Sequence, residues 1–105
     1  MGSKGRTPTE QSRHDEAVRR SAAQYKARGY RVTADVEGFS RPDPIRGRRP
    51  DVVAQKGRDK VVVEWETPST LSADKAQQEA LRRGAEAMGA HFEVRLAKGS
   101  KRRRA

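Results

Sequence analysis

Between Gly47 and Ser69 the chain reads GRRPDVVAQKGRDKVVVEWETPS, with three carboxylates, Asp51, Glu64 and Glu66, inside its most apolar stretch. Two valine runs of this kind are strands bound for a core. An ionised carboxylate enters a core only with a partner, because losing its hydration is costly. Gly57-Arg58 suits a two-residue hairpin turn with glycine at the first central position. With that turn, Lys56 faces Asp59, Val53 faces Val62, and Asp51 faces Glu64. Opposed side chains share a sheet face, with Cβ atoms about 4.5–5.5 Å apart. Glu66, two residues beyond Glu64, points the same way, while Val63 and Trp65 point to the other face. Three acids therefore converge at one end of one sheet face.

Like charges placed so closely destabilise a sheet unless something compensates them. Arginine is one compensation: Arg49 lies opposite Glu66 in the same register, with Arg31 or Arg95 reaching over. A divalent cation is the other. Oxygen ligands without thiolates or clustered histidines select a hard ion, Mg²⁺ with Mn²⁺ as substitute. Such an ion brings Lewis acidity and a hydroxide nucleophile near neutral pH. The partner follows from charge. With 24 Lys+Arg against 14 Asp+Glu, a net +10 on 105 residues, the chain suits a polyanion, and DNA foremost. The absence of cysteine excludes disulfides, thiolate catalysis and Cys-based zinc sites. No run reaches the roughly 18 apolar residues of a membrane span, so the expectation is a cytoplasmic protein without a membrane partner.

The elements that must hold these acids are legible in outline. Residues 1–9 are polar and expected to be irregular, residues 10–97 form the one domain, and 98–105 are a basic tail. A first helix is predicted from Glu10 to Arg28, stopping at Gly29, with Val18, Ala22 and Tyr25 as its apolar stripe. Tyr30–Val36 alternates as a strand. The following EGFSRPDPIRGRR is a loop. Pro50–Gln55 and Lys60–Glu66 are the two strands of the hairpin. A second helix is predicted from Ser72 to Ala87 behind Ser and Thr caps, and HFEVRLA is a last strand. The order is αβββαβ, an α/β (α+β) fold with two helices flanking a four-stranded mixed sheet.

Pro50-Asp51 followed by Glu64-Trp65-Glu66, carried on this element order, resembles the PD-(D/E)XK nuclease superfamily, the restriction-endonuclease-like fold shared by archaeal Holliday-junction resolvases. HDEAVRRSAAQYKARGYRV also looks like the opening helix and strand of small members of that group. The resemblance implies a metal-dependent DNA endonuclease with Asp51, Glu64 and the main-chain carbonyl of Trp65 as metal ligands. It puts Glu66 where the motif carries lysine, a position at which some restriction enzymes of this fold use glutamate with a second metal. Pro42-Asp43 is a competing match, but flanking prolines keep it out of a strand.

Many members of the group add an acid from the first helix. With Val18 at the centre of the buried face, His14 lies about 40° away and Asp15 about 60°, at 100° per residue, whereas Glu16 faces solvent. His14 or Asp15 is thus the candidate. On the second helix Gln77 is expected inward with Ala73, Ala80, Gly84 and Met88, and Gln78 outward. Arg46, Arg48 and Arg49 lead into Asp51 and could hold flanking phosphates. Lys101, Arg102, Arg103 and Arg104 would add salt-sensitive, sequence-independent affinity. Cleavage would be structure-selective or nonspecific, with a homodimer as the form suited to cutting two strands. The alternative is a catalytically inactive nucleic-acid-binding module of the same fold.

Overall fold

The computed structural model describes residues 6–97. In chain order the elements are α1 (Pro8–Ala27), β1 (Arg31–Ala34), β2 (Val52–Lys56), β3 (Asp59–Glu66), α2 (Lys75–Ala87) and β4 (His91–Leu96). The strands lie side by side in that order in one mixed sheet. The β1–β2 and β2–β3 pairs are antiparallel and β3–β4 is parallel. A parallel pair requires a crossover connection, and α2 provides it.

Side chains alternate across β3. Val61, Val63 and Trp65 pack with Val18, Ala22 and Tyr25 of α1. Val62 packs with Leu81 and Ala85 of α2. The helices therefore cover opposite faces, and a strand covered on both faces needs an unbroken valine run rather than alternation. The hairpin register is the expected one, with Val53 opposite Val62 and Lys56 opposite Asp59. Its turn holds Gly57 at φ 61°, a left-handed conformation that glycine adopts without a Cβ penalty.

Both helix starts differ from the sequence reading. Helix α1 begins at Pro8, because Thr7 and Glu10 form a reciprocal capping box. The Thr7 hydroxyl accepts the Glu10 N–H at 3.1 Å, and the Glu10 carboxylate accepts the Thr7 N–H at 3.3 Å. Such a box satisfies two orphan donors of the first turn. Helix α2 begins at Lys75 instead of Ser72. The threonines expected to cap it serve the preceding turn, where Thr70 Oγ1 accepts the Thr67 N–H and donates to Glu66. Its inward face also differs. Leu81, Gly84 and Ala85 are buried, Gln78 turns in to Glu66, and Met88 is exposed. The helix is rotated to bury Leu81, the largest apolar side chain available to it. The first strand is shorter than expected, ending at Ala34, whose N–H bonds the Ser40 carbonyl.

The loop before β2 is not wholly irregular. Ile45 and Arg48 bridge across a tight turn of Arg46 and Gly47, both at positive φ. This turn drives Ile45 into the core beneath α2. A Cβ added to Gly84 would stand 2.2 Å from Ile45 Cγ2. Gly84→Ala should therefore destabilise the domain by about 1–3 kcal/mol, an overpacking cost, despite the helix-propensity gain of alanine. In an Ile45→Ala background the same change should be neutral or stabilising. Urea midpoints of the four proteins check this, and a neutral Gly84→Ala would mean that α2 does not seat the loop.

Candidate active site

The site forms where the β2–β3 ladder stops. Its last hydrogen-bonded rung joins Val52 and Val63. One rung further, Trp65 would meet Pro50, which has no N–H to donate. The backbone groups of Trp65 face β2, since Glu66 bonds the other way, its carbonyl accepting Ala97 N–H. Both Trp65 groups find side-chain partners. Its N–H donates to Asp51 Oδ2 at 2.8 Å, and its carbonyl accepts from Arg6 Nη2 at 3.3 Å. Reciprocally, the Asp51 N–H donates to Glu64 Oε1 at 3.3 Å. The Asp51 carbonyl accepts the Asp35 N–H at 2.8 Å. Two carboxylates thus replace a rung of backbone pairing and are fixed against each other by it.

The remaining contacts come from the helices. Gln77 of α2 donates to Glu64 Oε2 at 2.9 Å. His14 of α1 sets Nε2 3.2 Å from Asp51 Oδ2 and Nδ1 3.0 Å from Asp15 Oδ1. The ring is buried, whereas Glu16 is exposed and paired with Arg19 and Arg20. Glu66 is fully buried and accepts from Thr70 Oγ1 at 2.7 Å and Gln78 Nε2 at 3.3 Å. Its ionic neighbour is Arg6, 3.9 Å away. Arg49, expected opposite Glu66, instead donates to the Pro42 carbonyl at 2.6 Å. Arg95 pairs with Glu93 and stacks over Trp65, whose indole N–H donates to Ser21.

These surroundings disfavour charge on the acids. Burial, then the charge of Asp51, pushes Glu64 up to about 9. Burial likewise raises Glu66, with Asp74 adding to it. Burial works against a proton on His14, but the hydrogen bond and charge of Asp51, with help from Asp15, outweigh it and raise the imidazole. All of this describes a site short of positive charge.

A cavity of about 300 Å³ opens over Asp51 and Glu64, lined also by Arg6, His14, Asp15, Asp35, Arg49, Asp74 and Gln77 among others. Five of its side chains are carboxylates and two are arginines, inside a protein of net charge +10. Among the described residues, no group of three or more His, Cys, Asp or Glu side chains could hold a metal. Two carboxylates, Asp51 and Glu64, line the cavity; Trp65 is not among its lining residues, and its carbonyl retains a second lone pair beside its bond to Arg6. An all-oxygen set this small suits Mg²⁺ or Mn²⁺, which keep several waters.

A family model described as AHJR-like (REase_AHJR-like) matches residues 6–101. The chain belongs to this family. It is a restriction-endonuclease-like family, in agreement with the Pro50-Asp51 and Glu64-Trp65-Glu66 pattern and the element order. No curated protein matches the chain. The AHJR-like match spans the whole sheet and both helices, so Asp51, Glu64 and His14 are all within it.

Of the residues singled out in the sequence, Asp51, Glu64, His14, Gln77 and Arg49 line the cavity. Glu66 is not among its lining residues. Arg46 lies against α2, near Gly84, and Arg48 is in the bridge to Ile45. Lys101, Arg102, Arg103 and Arg104 lie outside the described residues. Sequence reasoning missed Arg6, Asp35 and Asp74. The signal for Arg6 was present: Thr7-Pro8-Thr9-Glu10 is a capping-box sequence with proline at the first helical position, which fixes the residue just before it. Asp35 and Asp74 are brought in by loop geometry that no periodicity encodes.

The raised Glu64 and His14 have a common consequence for stability. A group whose pKa is raised by folding stabilises fully below its unfolded value and progressively less as pH climbs through the folded one. For Glu64 that window runs from the ordinary 4.5 to about 9. The metal-free protein should therefore lose melting temperature steadily between about pH 5 and 9. Glu64→Gln should flatten the profile. A melting temperature that rises over that range in the wild type would contradict the burial of these charges.

Proposed function

We propose that the chain is a divalent-metal-dependent endonuclease that hydrolyses phosphodiester bonds in DNA, structure-selectively or without sequence preference. The observation that carries this reading is the splice at Pro50. There Asp51 and Glu64 line an open cavity and are tied to the backbone of Asp51 and Trp65, with the pKa of Glu64 pushed up by burial and by Asp51. Sites that hold carboxylates in this state are short of a cation, and binding one releases their protons. When bound, Mg²⁺ or Mn²⁺ supplies Lewis acidity toward the phosphodiester and lowers the pKa of the attacking water.

The chain's own residues have distinct parts in this reading. Asp51 and Glu64 hold the ion with the Trp65 carbonyl. His14 orients Asp51 through Nε2 and is itself fixed by Asp15. Gln77 orients Glu64. Arg49, on the cavity wall, meets a phosphate of the DNA backbone, a bidentate match for guanidinium. The basic tail adds affinity that falls with salt. A site on one small domain leaves little surface for reading bases, so shape and backbone dominate recognition.

Two observations favour the second reading, a DNA-binding module of the same fold without cleavage. The Trp65 carbonyl already has a cationic partner in Arg6, and Glu66 stands where the motif carries lysine. A supercoiled-plasmid nicking assay separates the two. Wild type should nick with Mg²⁺ or Mn²⁺ and not with EDTA. Asp51→Asn and Glu64→Gln should each lose at least about 10²-fold in rate, roughly 2.7 kcal/mol of transition-state stabilisation, while melting no lower than wild type. DNA binding without metal-dependent nicking selects the binding module. Neither binding at low salt nor nicking would remove both readings.

A further inference from the structure

Arg6 brings a buried guanidinium to this site, carried by the N-terminal end of α1 and held by the end of β3 and the turn after it. The capping box fixes Thr7. The same Glu10 carboxylate accepts a hydrogen bond from Ser69 Oγ at 2.6 Å, tying the helix start to the turn after β3. Arg6 is thereby laid across that turn. Its Nε donates to Thr67 Oγ1 at 3.3 Å and its Nη2 to the Trp65 carbonyl at 3.3 Å, with Glu66 Oε1 at 3.9 Å. Only 9% of its side chain is exposed, and none of that of Glu66.

We propose that Arg6 is a phosphate-facing cation of the cavity, beside Arg49, and that Glu66 serves to hold it there. This rests on the nuclease reading above. Glu66 has its other partners in Thr70 and Gln78 and does not line the cavity, whereas Arg6 does. The carboxylate at the motif's lysine position thus recruits an arginine from another element, and positive charge reaches the site by that route. Two of the guanidinium N–H groups are used on Thr67 and Trp65. The N–H groups of the five-donor fork that face neither these nor Glu66 remain for the non-bridging oxygens of a phosphate lying over Asp51 and Glu64. A fixed donor of this kind in a partly dry cavity stabilises charge that grows in the transition state. With Arg49 it offsets the five carboxylates lining the cavity, which oppose entry of a phosphate.

The test compares wild type with Arg6→Lys, Arg6→Ala and the neutral pair Arg6→Ala/Glu66→Gln, which leaves no unpaired charge behind. Melting temperature, the Mn²⁺ midpoint followed by thermal shift, and nicking rate are measured for each. A thermal shift with inorganic phosphate in the absence of metal is the fourth readout. The neutral pair should fold, bind Mn²⁺ within about threefold of wild type, and lose about 10²-fold in nicking, the usual loss on removing one such donor. Its phosphate shift should vanish, and Arg6→Lys should stay within about tenfold of wild type. Wild-type nicking by the neutral pair overturns the proposal. So does an Arg6→Lys as slow as Arg6→Ala. Faster nicking with tighter Mn²⁺ binding in Arg6→Ala would make Arg6 a plug competing with the metal, and also overturns it. If wild type itself does not nick, the nuclease reading fails separately. The phosphate shift then decides: lost in the neutral pair, Arg6 is the anion-binding cation; retained, it is not.

Discussion

The fold's functional end depends on a proline that cannot complete a rung of β-sheet. Pro50 has no N–H to give the Trp65 carbonyl, and the ladder ends at Val52 and Val63, so both backbone groups of this half-buried residue turn to side chains. Such groups must be satisfied, since an orphaned buried donor or acceptor costs about 1–3 kcal/mol. The chain satisfies them with Asp51 and Arg6, and satisfies the N–H of Asp51 with Glu64. The two acids are therefore structural members of the sheet as well as candidate ligands. Their positions are fixed by backbone hydrogen bonds rather than by side-chain rotamers alone. Preorganisation of this kind lets an ion bind without reorganising the core.

The same arrangement sets the electrostatics. Hydrogen bonds from N–H groups and from Gln77 favour charge on the acids, but burial and mutual repulsion work against them, and for Glu64 burial and repulsion dominate. The molecule tolerates this because the cavity is open on one side and cations enter its rim from three elements: Arg6 ahead of α1, His14 within it, and Arg49 from the loop before β2. A buried acid cluster balanced from several directions is sensitive to each contributor. Removal of one cation raises the field at all the carboxylates together.

Much of this was legible in the sequence. Valine runs marked the central strands, Gly57-Arg58 fixed the hairpin register, and that register, carried one residue past its last pair, put Asp51 beside Glu64, where a hydrogen bond joins them, with Trp65 on the opposite face. The helical wheel on Val18 separated His14 from Glu16. What escaped was set by interactions without a period. Arg6 is hidden because the apolar stripe of α1 starts well after its capping box at Thr7, so periodicity alone points to a later helix start. The phase of α2 is poorly marked in the sequence because small residues such as Ala73 and Ala80 define a weak stripe, whereas Leu81 decides the packing. The partner of Glu66 could not come from strand pairing at all. Register pointed to Arg49, but Arg49 is drawn away to the Pro42 carbonyl, and a residue from the far end of the chain takes its place.

The central claim is that Asp51, Glu64 and the Trp65 carbonyl form one cation site at the end of the β2–β3 ladder. A Mn²⁺ titration of ¹⁵N-labelled protein observed by amide NMR tests it most directly, because paramagnetic broadening falls off steeply with distance from the ion. Broadening at low Mn²⁺ should begin at the amides of Asp51, Glu64 and Trp65, and should disappear in Asp51→Asn. Broadening that starts elsewhere, or that persists unchanged in that variant, would contradict the account.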